Sequence, residues 1–236
     1  MPGLWKSLAL FFFLIPYGGI AQDTDTTFFD PRDEVERFYF SSGTEFIFSF
    51  ASVDYLGTTD GTPMRFAPVF NFQSYFNYDP NDYFGILAGF SIRNVGFIFN
   101  FPDSEIKKKY RNYNIGIPVG LKLGRMNGAF LYGGYELEIP VHYKEKTFIG
   151  GDKEGKFSVW FSDRVPGIYH SIFFGVQLPY AASLKFRYYL SDFFNPNFRT
   201  IENGQTVFPY RDLNARVFYF SLSFNLFKDA NLYINE

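Results

Sequence analysis

A histidine, a serine and a glutamate are the raw materials of nucleophilic hydrolysis, and His142, Ser171 and Glu138 supply them in this chain. In such a set the imidazole takes the hydroxyl proton while the carboxylate orients the ring, all within hydrogen-bond reach. Counting in steps of two puts His142 and Ser171 on the same side of neighbouring strands, near their ends, and His170 on the other side. A single cluster holding both histidines is therefore hard to assemble, and a rim histidine with polar partners is the commoner arrangement. No G-x-S-x-G, H-E-x-x-H, Walker or G-x-G-x-x-G pattern occurs. The run Gly150-Gly151-Asp152-Lys153-Glu154-Gly155 lacks the ligand spacing of a calcium loop and reads as a loop tip. With Cys 0, disulfides, thiol catalysis and thiolate metal sites are excluded. No catalytic residue, metal ligand or cofactor is assigned.

A different set of ionisable residues carries the stronger signal. Glu45, Glu136 and Glu138 share strand parity with small residues, and so do Arg93, Lys122, Lys185 and Arg187. If that face is enclosed, each charge needs a partner, because burying an unpaired charge is costly. The near balance of acids and bases therefore implies a cross-barrel polar network, with Gly and Ser making room for it, and argues against an open pore.

The elements that must hold those residues are strands. Phe46, Phe48 and Phe50 alternate with Glu45, Ile47 and Ser49. Phe66, Phe70, Phe72 and Phe76 share a parity against Asn71, Gln73 and Tyr75, and the segment ends at the turn Asp79-Pro80-Asn81-Asp82. Six further segments follow the same rule, centred on Phe90, Ile117, Leu137, Phe174, Phe186 and Phe220. About eight strands result, most near the roughly 9 to 11 residues that a tilted strand needs to cross a bilayer. Short links alternate with long ones. The long ones, Ala51 to Pro63, Asn94 to Lys109, Lys144 to Pro166 and Asp192 to Asn214, all fall at one end. This is the plan of an all-β, eight-stranded, antiparallel up-and-down transmembrane β-barrel, with short turns in the periplasm and long loops outside.

Alternation alone does not separate such a barrel from a secreted, lipocalin-like ligand-binding barrel, whose apolar face points inward. Bulk decides between them. An eight-stranded interior has space for one layer of side chains, too little for Phe46, Phe70, Phe90, Tyr135, Phe174, Phe186 and Phe220 with their neighbours. The apolar face is therefore expected to meet lipid. Phe 34 and Tyr 18 in 236 residues suit that surface, and Tyr78, Tyr83, Tyr110, Tyr132 and Tyr188 are expected in interfacial girdles. A net charge of -2 with no basic stripe argues against nucleic acid. The one dense cationic run, Lys107-Lys108-Lys109 with Arg111, reads as solvated loop or as a contact to lipopolysaccharide phosphates.

The chain opens with Lys6, an apolar run from Leu8 to Ile15, and the small residues Gly19 and Ala21, the features of a secretory signal peptide cleaved before Gln22. The expected organisation is a signal peptide over 1-21, a periplasmic N-terminal segment over 22-37, the outer-membrane barrel over 38-227 and a periplasmic C-terminal tail over 228-236. The strand from Tyr113 to Lys122, the run Leu178-Pro179-Tyr180 leading to Leu184 through Tyr188, and the ending from Asp212 to Phe224 resemble the PorT-like outer-membrane barrels of Bacteroidota. That resemblance implies an outer-membrane barrel and a part in exporting proteins to the cell surface. It implies no catalytic residue. The chain departs from the usual barrel ending, because Lys228 to Glu236 follow Phe227.

The sequence thus points to a non-enzymatic outer-membrane protein, a PorT-like secretion component or a surface structural protein. Its partners would be outer-membrane lipid and lipopolysaccharide, with secretion-system proteins in the first case. The alternatives are an outer-membrane hydrolase acting on lipid or peptide through His142 and Ser171, and the secreted ligand-binding barrel.

Overall fold

In a computed structural model of the chain, residues 37–229 are described, apart from 103, 180, 181 and 203. The expected signal peptide, the 22-37 segment up to residue 36, and the tail beyond Asp229 lie outside the described residues.

Among the described residues thirteen strands follow one another: β1 (Phe38–Tyr55), β2 (Thr58–Gly61), β3 (Arg65–Ala67), β4 (Phe72–Asn81), β5 (Phe84–Asn100), β6 (Ile106–Gly124), β7 (Phe130–Ile149), β8 (Asp152–Trp160), β9 (Tyr169–Gln177), β10 (Ala182–Tyr189), β11 (Thr200–Glu202), β12 (Gln205–Val207) and β13 (Leu213–Asp229). Eight of them form an antiparallel ring in the order β1-β4-β5-β6-β7-β9-β10-β13. β13 closes it by pairing with β1 from Tyr55↔Leu213 to Phe40↔Asp229. Closure removes the sheet edges within the ring, whereas beyond it β5 from Arg93 to Asn100 ladders with β6 alone and β8 with β7 alone. The expected eight-stranded meander is the observed fold. The last strand runs to Asp229, past the boundary expected at 227.

Each strand carries the period-two pattern into three dimensions. On β6, Ile117, Val119, Leu121 and Leu123 are exposed on the outside, while Asn112, Asn114 and Lys122 are buried within. The same division holds around the ring. Tyr135, Leu137 and Ile139 on β7, Ile172 and Phe174 on β9, and Phe220, Leu222 and Phe224 on β13 point away from the axis. Cross-strand contacts such as Phe186 with Phe220, 5.1 Å between ring centroids, knit this outer surface together. Phe90, Phe174, Phe186 and Phe220 are all exposed, so the interior is not the apolar ligand cavity of a lipocalin-like barrel.

The connections differ from the expected loops. At one end the turns are short, as at Asp82-Tyr83 and Arg125–Ala129. At the other end most of the residues read as loops continue the strands: β5 reaches Asn100, β6 starts at Ile106, and β7 runs to Ile149 before turning through Gly150 and Gly151, both at positive φ, into β8. On β6, β7 and β8 alternation there is carried mainly by polar and charged residues, and on β5 the apolar side chains Val95, Phe97 and Phe99 turn inward, so apolar periodicity alone ends the strands early. The Lys107–Lys109 run accordingly lies on a strand and not in a loop.

The segment between β10 and β13 folds back into the barrel mouth. Phe193 and Phe194 are buried against Phe97 and Tyr110, and Tyr210 stacks on Phe194 at 4.3 Å. Tyr169 donates its hydroxyl to the Phe193 carbonyl at 2.6 Å and receives a bond from Asn112 at 2.8 Å, which ties the fold-back to β6 and β9. An aromatic core thus fills the loop end of the barrel.

Candidate functional site: the barrel interior

Glu45 on β1, Arg93 on β5, Glu136 and Glu138 on β7, and Lys185 and Arg187 on β10 meet at mid-height, every side chain fully buried. The inward parity of four strands brings them together although they are far apart in sequence. Arg93 bridges the barrel: its Nε donates to Glu45 Oε2 at 3.0 Å and its Nη1 bonds Glu136 Oε1. Arg187 lies 2.5 Å from Glu136 Oε2 through Nη2 and donates to Glu138 Oε1 at 3.1 Å through Nη1. Lys185 binds Glu45 and donates to Gln73 Oε1 at 2.6 Å. Tyr189, with its hydroxyl 2.8 Å from Glu138 Oε2, and Asn114, donating to the same oxygen at 2.7 Å, complete the shell. With both groups of residues ionised, the cluster is neutral, the arrangement in which buried charge is tolerated.

Lys122 stands apart from this cluster. It lies near the short-turn end, 2.5 Å from Asp79 Oδ1, and donates to Tyr39 Oη at 2.8 Å and Asn77 Oδ1 at 3.2 Å. Asp79 is the acid that balances it. Asp79 belongs to the turn-like run Asp79-Pro80-Asn81-Asp82, yet its odd number continues the inward series Gln73, Tyr75, Asn77, so the same count of two identifies it.

Space for these groups comes from missing side chains on neighbouring strands. A Cβ on Gly116 would lie 2.1 Å from Glu136 Oε1 and 2.5 Å from Ser91 Oγ, and one on Gly85 would lie 2.1 Å from Asp79 Oδ1. Glycine at these positions is required by close approach, not by backbone angle.

The hydrolase constellation does not assemble. Val141 is an extra residue in β7: Asn114 pairs with Pro140 but Tyr113 pairs with His142. This bulge, next to a proline that cannot donate to the ladder, turns His142 to the outer surface, where it stacks on Trp160 at 4.2 Å. Ser171 faces inward and accepts a bond from Arg187 Nη1 at 2.8 Å. The nucleophile and the base expected together thus lie on opposite faces of the wall. His170 is outward as expected, with Nδ1 against the Tyr135 hydroxyl.

The girdle assignment also needs correction. Tyr83 is exposed, but Tyr110 and Tyr132 are buried in the interior, because even positions of β6, and of β7 before the bulge at Val141, point inward. Tyr132 bonds Ser183 at 2.6 Å, and Tyr110 packs in the aromatic core. At the loop end the outer aromatic ring is instead built from Tyr113, His142 and Trp160.

No family model and no curated protein matches the chain. Among solved structures, the attachment invasion locus protein Ail of Yersinia pestis aligns at a TM-score of 0.36 with 14% identity, over 78% of this chain and 97% of Ail. Neisserial surface protein A aligns at 0.32 with 12% identity, over 80% and 97% of the two chains. CarO of Acinetobacter baumannii aligns at 0.35 with 10% identity, over 78% and 96%.

Proposed function

We propose that this chain is a non-enzymatic outer-membrane β-barrel whose lumen is plugged and whose activity resides in the wall that projects beyond the membrane. The observation that carries this reading is the division of the closed ring into two surfaces, an apolar one that faces out along the whole circumference and an ionic one that faces in. In water an apolar belt of that extent is an association hazard, whereas in hydrocarbon it is the required surface, and ring closure satisfies the backbone there. Short turns at one end and long strand extensions at the other support an orientation with the extensions outside the cell.

The interior supports a structural role in place of transport. The mid-height cluster is fully buried, and the aromatic core lies above it, so side chains occupy the axis. The finer reading, a PorT-like part in protein secretion, rests on the strand motifs around Tyr113–Lys122 and Leu178–Tyr188. Copurification from detergent extract tests it: a stable envelope partner is expected for a secretion component, and an isolated barrel for a surface structural protein.

The general reading is tested by fractionation and gel mobility. The protein is expected in the outer-membrane fraction, extracted only by detergent, and migrating faster unboiled than boiled. A polypeptide that is monodisperse in plain buffer after export contradicts it.

A further inference from the structure

The extended wall formed by β6, β7 and β8 carries a cationic surface on its outer, laterally facing side. Lys109 pairs with Lys146, and Lys146 with Lys156, so three lysines stand directly opposite one another across three strands. One step nearer the barrel, Arg111 pairs with Lys144, and one step farther, Lys107 and Lys153 both register with Phe148. These side chains face outward, since the alternate residues Tyr110, Asn112 and Tyr143 are buried inside. The inward Lys108 marks the contrast: it has a partner, Glu145, at 2.8 Å.

Among the described residues no carboxylate lies within ion-pair distance of the outward lysines or of Arg111; Asp152 and Glu154 sit by the hairpin tip. Phe148 offers its ring to Lys107 and Lys109 at 5.8 and 5.0 Å, and Tyr113 offers its ring to Lys144 at 4.9 Å. Like charges directly opposed across a sheet are destabilising. The ammonium of Lys146 is held below the ordinary lysine range chiefly by Arg111, with Lys153, Lys156 and Lys109 adding to the repulsion. A chain of net charge -2 has thus gathered cations on one face, and among the described residues none of them has a carboxylate at ion-pair distance.

Position identifies the occupant. Along the outer face of β7 the apolar belt ends at Leu137 and Ile139, the Tyr113-His142-Trp160 stack follows, and the first cationic pair comes two residues later. At about 3.4 Å per residue the cations begin within about 7 Å of the aromatic ring along the strand. They face sideways and not up into the medium, and on the membrane reading proposed above this spacing sets them level with outer-leaflet headgroups. We propose that this face of β6, β7 and β8 binds the phosphate groups of a phosphorylated glycolipid of the outer leaflet, of the lipid A type. The binding is non-covalent, with Lys109, Lys146 and Lys156 as its centre and Phe148 as a floor for the lysine stems. The proposal rests on the membrane reading above and adds to it a specific lipid contact.

The test uses the full-length protein folded into phosphatidylcholine nanodiscs containing either bis-phosphorylated lipid A or the same lipid with its phosphates removed. Bound lipid is quantified after repurification, and heat-modifiable mobility verifies folding. Selective retention of the phosphorylated form is expected. The triple variant K109Q/K146Q/K156Q should bind it on the order of a hundredfold more weakly, at about one screened charge contact per lysine. The control D152N/E154Q, in the same hairpin, should retain it. Equal retention of the two lipids, or an unaffected triple variant, overturns the proposal while leaving the barrel intact. Binding of a soluble sulfated polysaccharide in place of lipid A overturns the lipid assignment. Failure to fold into nanodiscs overturns the membrane reading itself.

Discussion

Glu136 is the residue on which the interior turns, since it meets both Arg93 and Arg187. Its replacement by alanine leaves two guanidiniums short of a partner in a dry setting, and removing one member of a buried ion pair costs about 3–5 kcal/mol. The E136A barrel should therefore unfold at markedly lower urea than the parent in the same micelles, with E136Q intermediate. Gly116→Ala tests the same site from the opposite strand. The added methyl would sit 2.1 Å from Glu136 Oε1, so about 1–3 kcal/mol of destabilisation from overpacking is expected. Because both changes act on one cluster, the double variant should lose less than the sum of the two. Additive losses would show that the cluster does not act as a unit. His142→Ala, by contrast, should leave turnover of lipid and peptide substrates unchanged, since the ring stacks on Trp160 outside the barrel and Ser171 is held inside by Arg187.

At the scale of elements, what was legible in the sequence follows from the physics of the strand. Strict alternation of apolar and small or charged residues around Phe90, Leu121, Phe186 and Phe220 exposes the membrane strands, because there the two faces meet opposite solvents. Beyond the belt both faces of β6, β7 and β8 are polar or aromatic, so the contrast that marks a strand disappears although the ladder continues. The Val141 bulge is hidden for a related reason: one extra residue reverses parity, and only the partner strand reveals it. The interior residues Glu45, Arg93, Glu136, Glu138, Lys185 and Arg187 lie before the bulge or away from it, and their parity places them together. Asp79 and the aromatic fold-back were both present in the sequence, the first as a continued odd series and the second as Phe193, Phe194 and Tyr210. Two element-level outcomes follow. Leu121→Arg, in the middle of the outer belt, should cost about 2–4 kcal/mol in bilayers, an effect absent for a polar change in the β8 extension. Amides of β7 and β8 at the opposed lysines should gain protection from hydrogen exchange when ionic strength is raised from about 0.05 M to about 0.5 M, as the repulsion is screened. No gain would mean that the lysines do not strain the wall.

The barrel formed by the described residues sorts its side chains by surroundings: an apolar face outside, paired charges at mid-height, an aromatic core above, and a cationic outer face on the β6–β8 extension. Side chains fill its axis at the ion-pair layer and at the aromatic layer, so planar bilayers containing the protein should show no sustained ion conductance. Phe194→Ala, which removes the ring stacked on Tyr210 at 4.3 Å, should loosen the mouth without opening the ionic layer beneath. The most direct measurement of the central claim is depth-resolved quenching by brominated acyl chains. In a Trp160→Phe background, tryptophans placed at Phe186 and Phe220 should be strongly quenched by lipids brominated in the acyl region, and a tryptophan placed at Tyr219, one residue away and inward, should not. Quenching confined to position 219, or absent at 186 and 220, would show that the apolar face is turned inward and contradict the account.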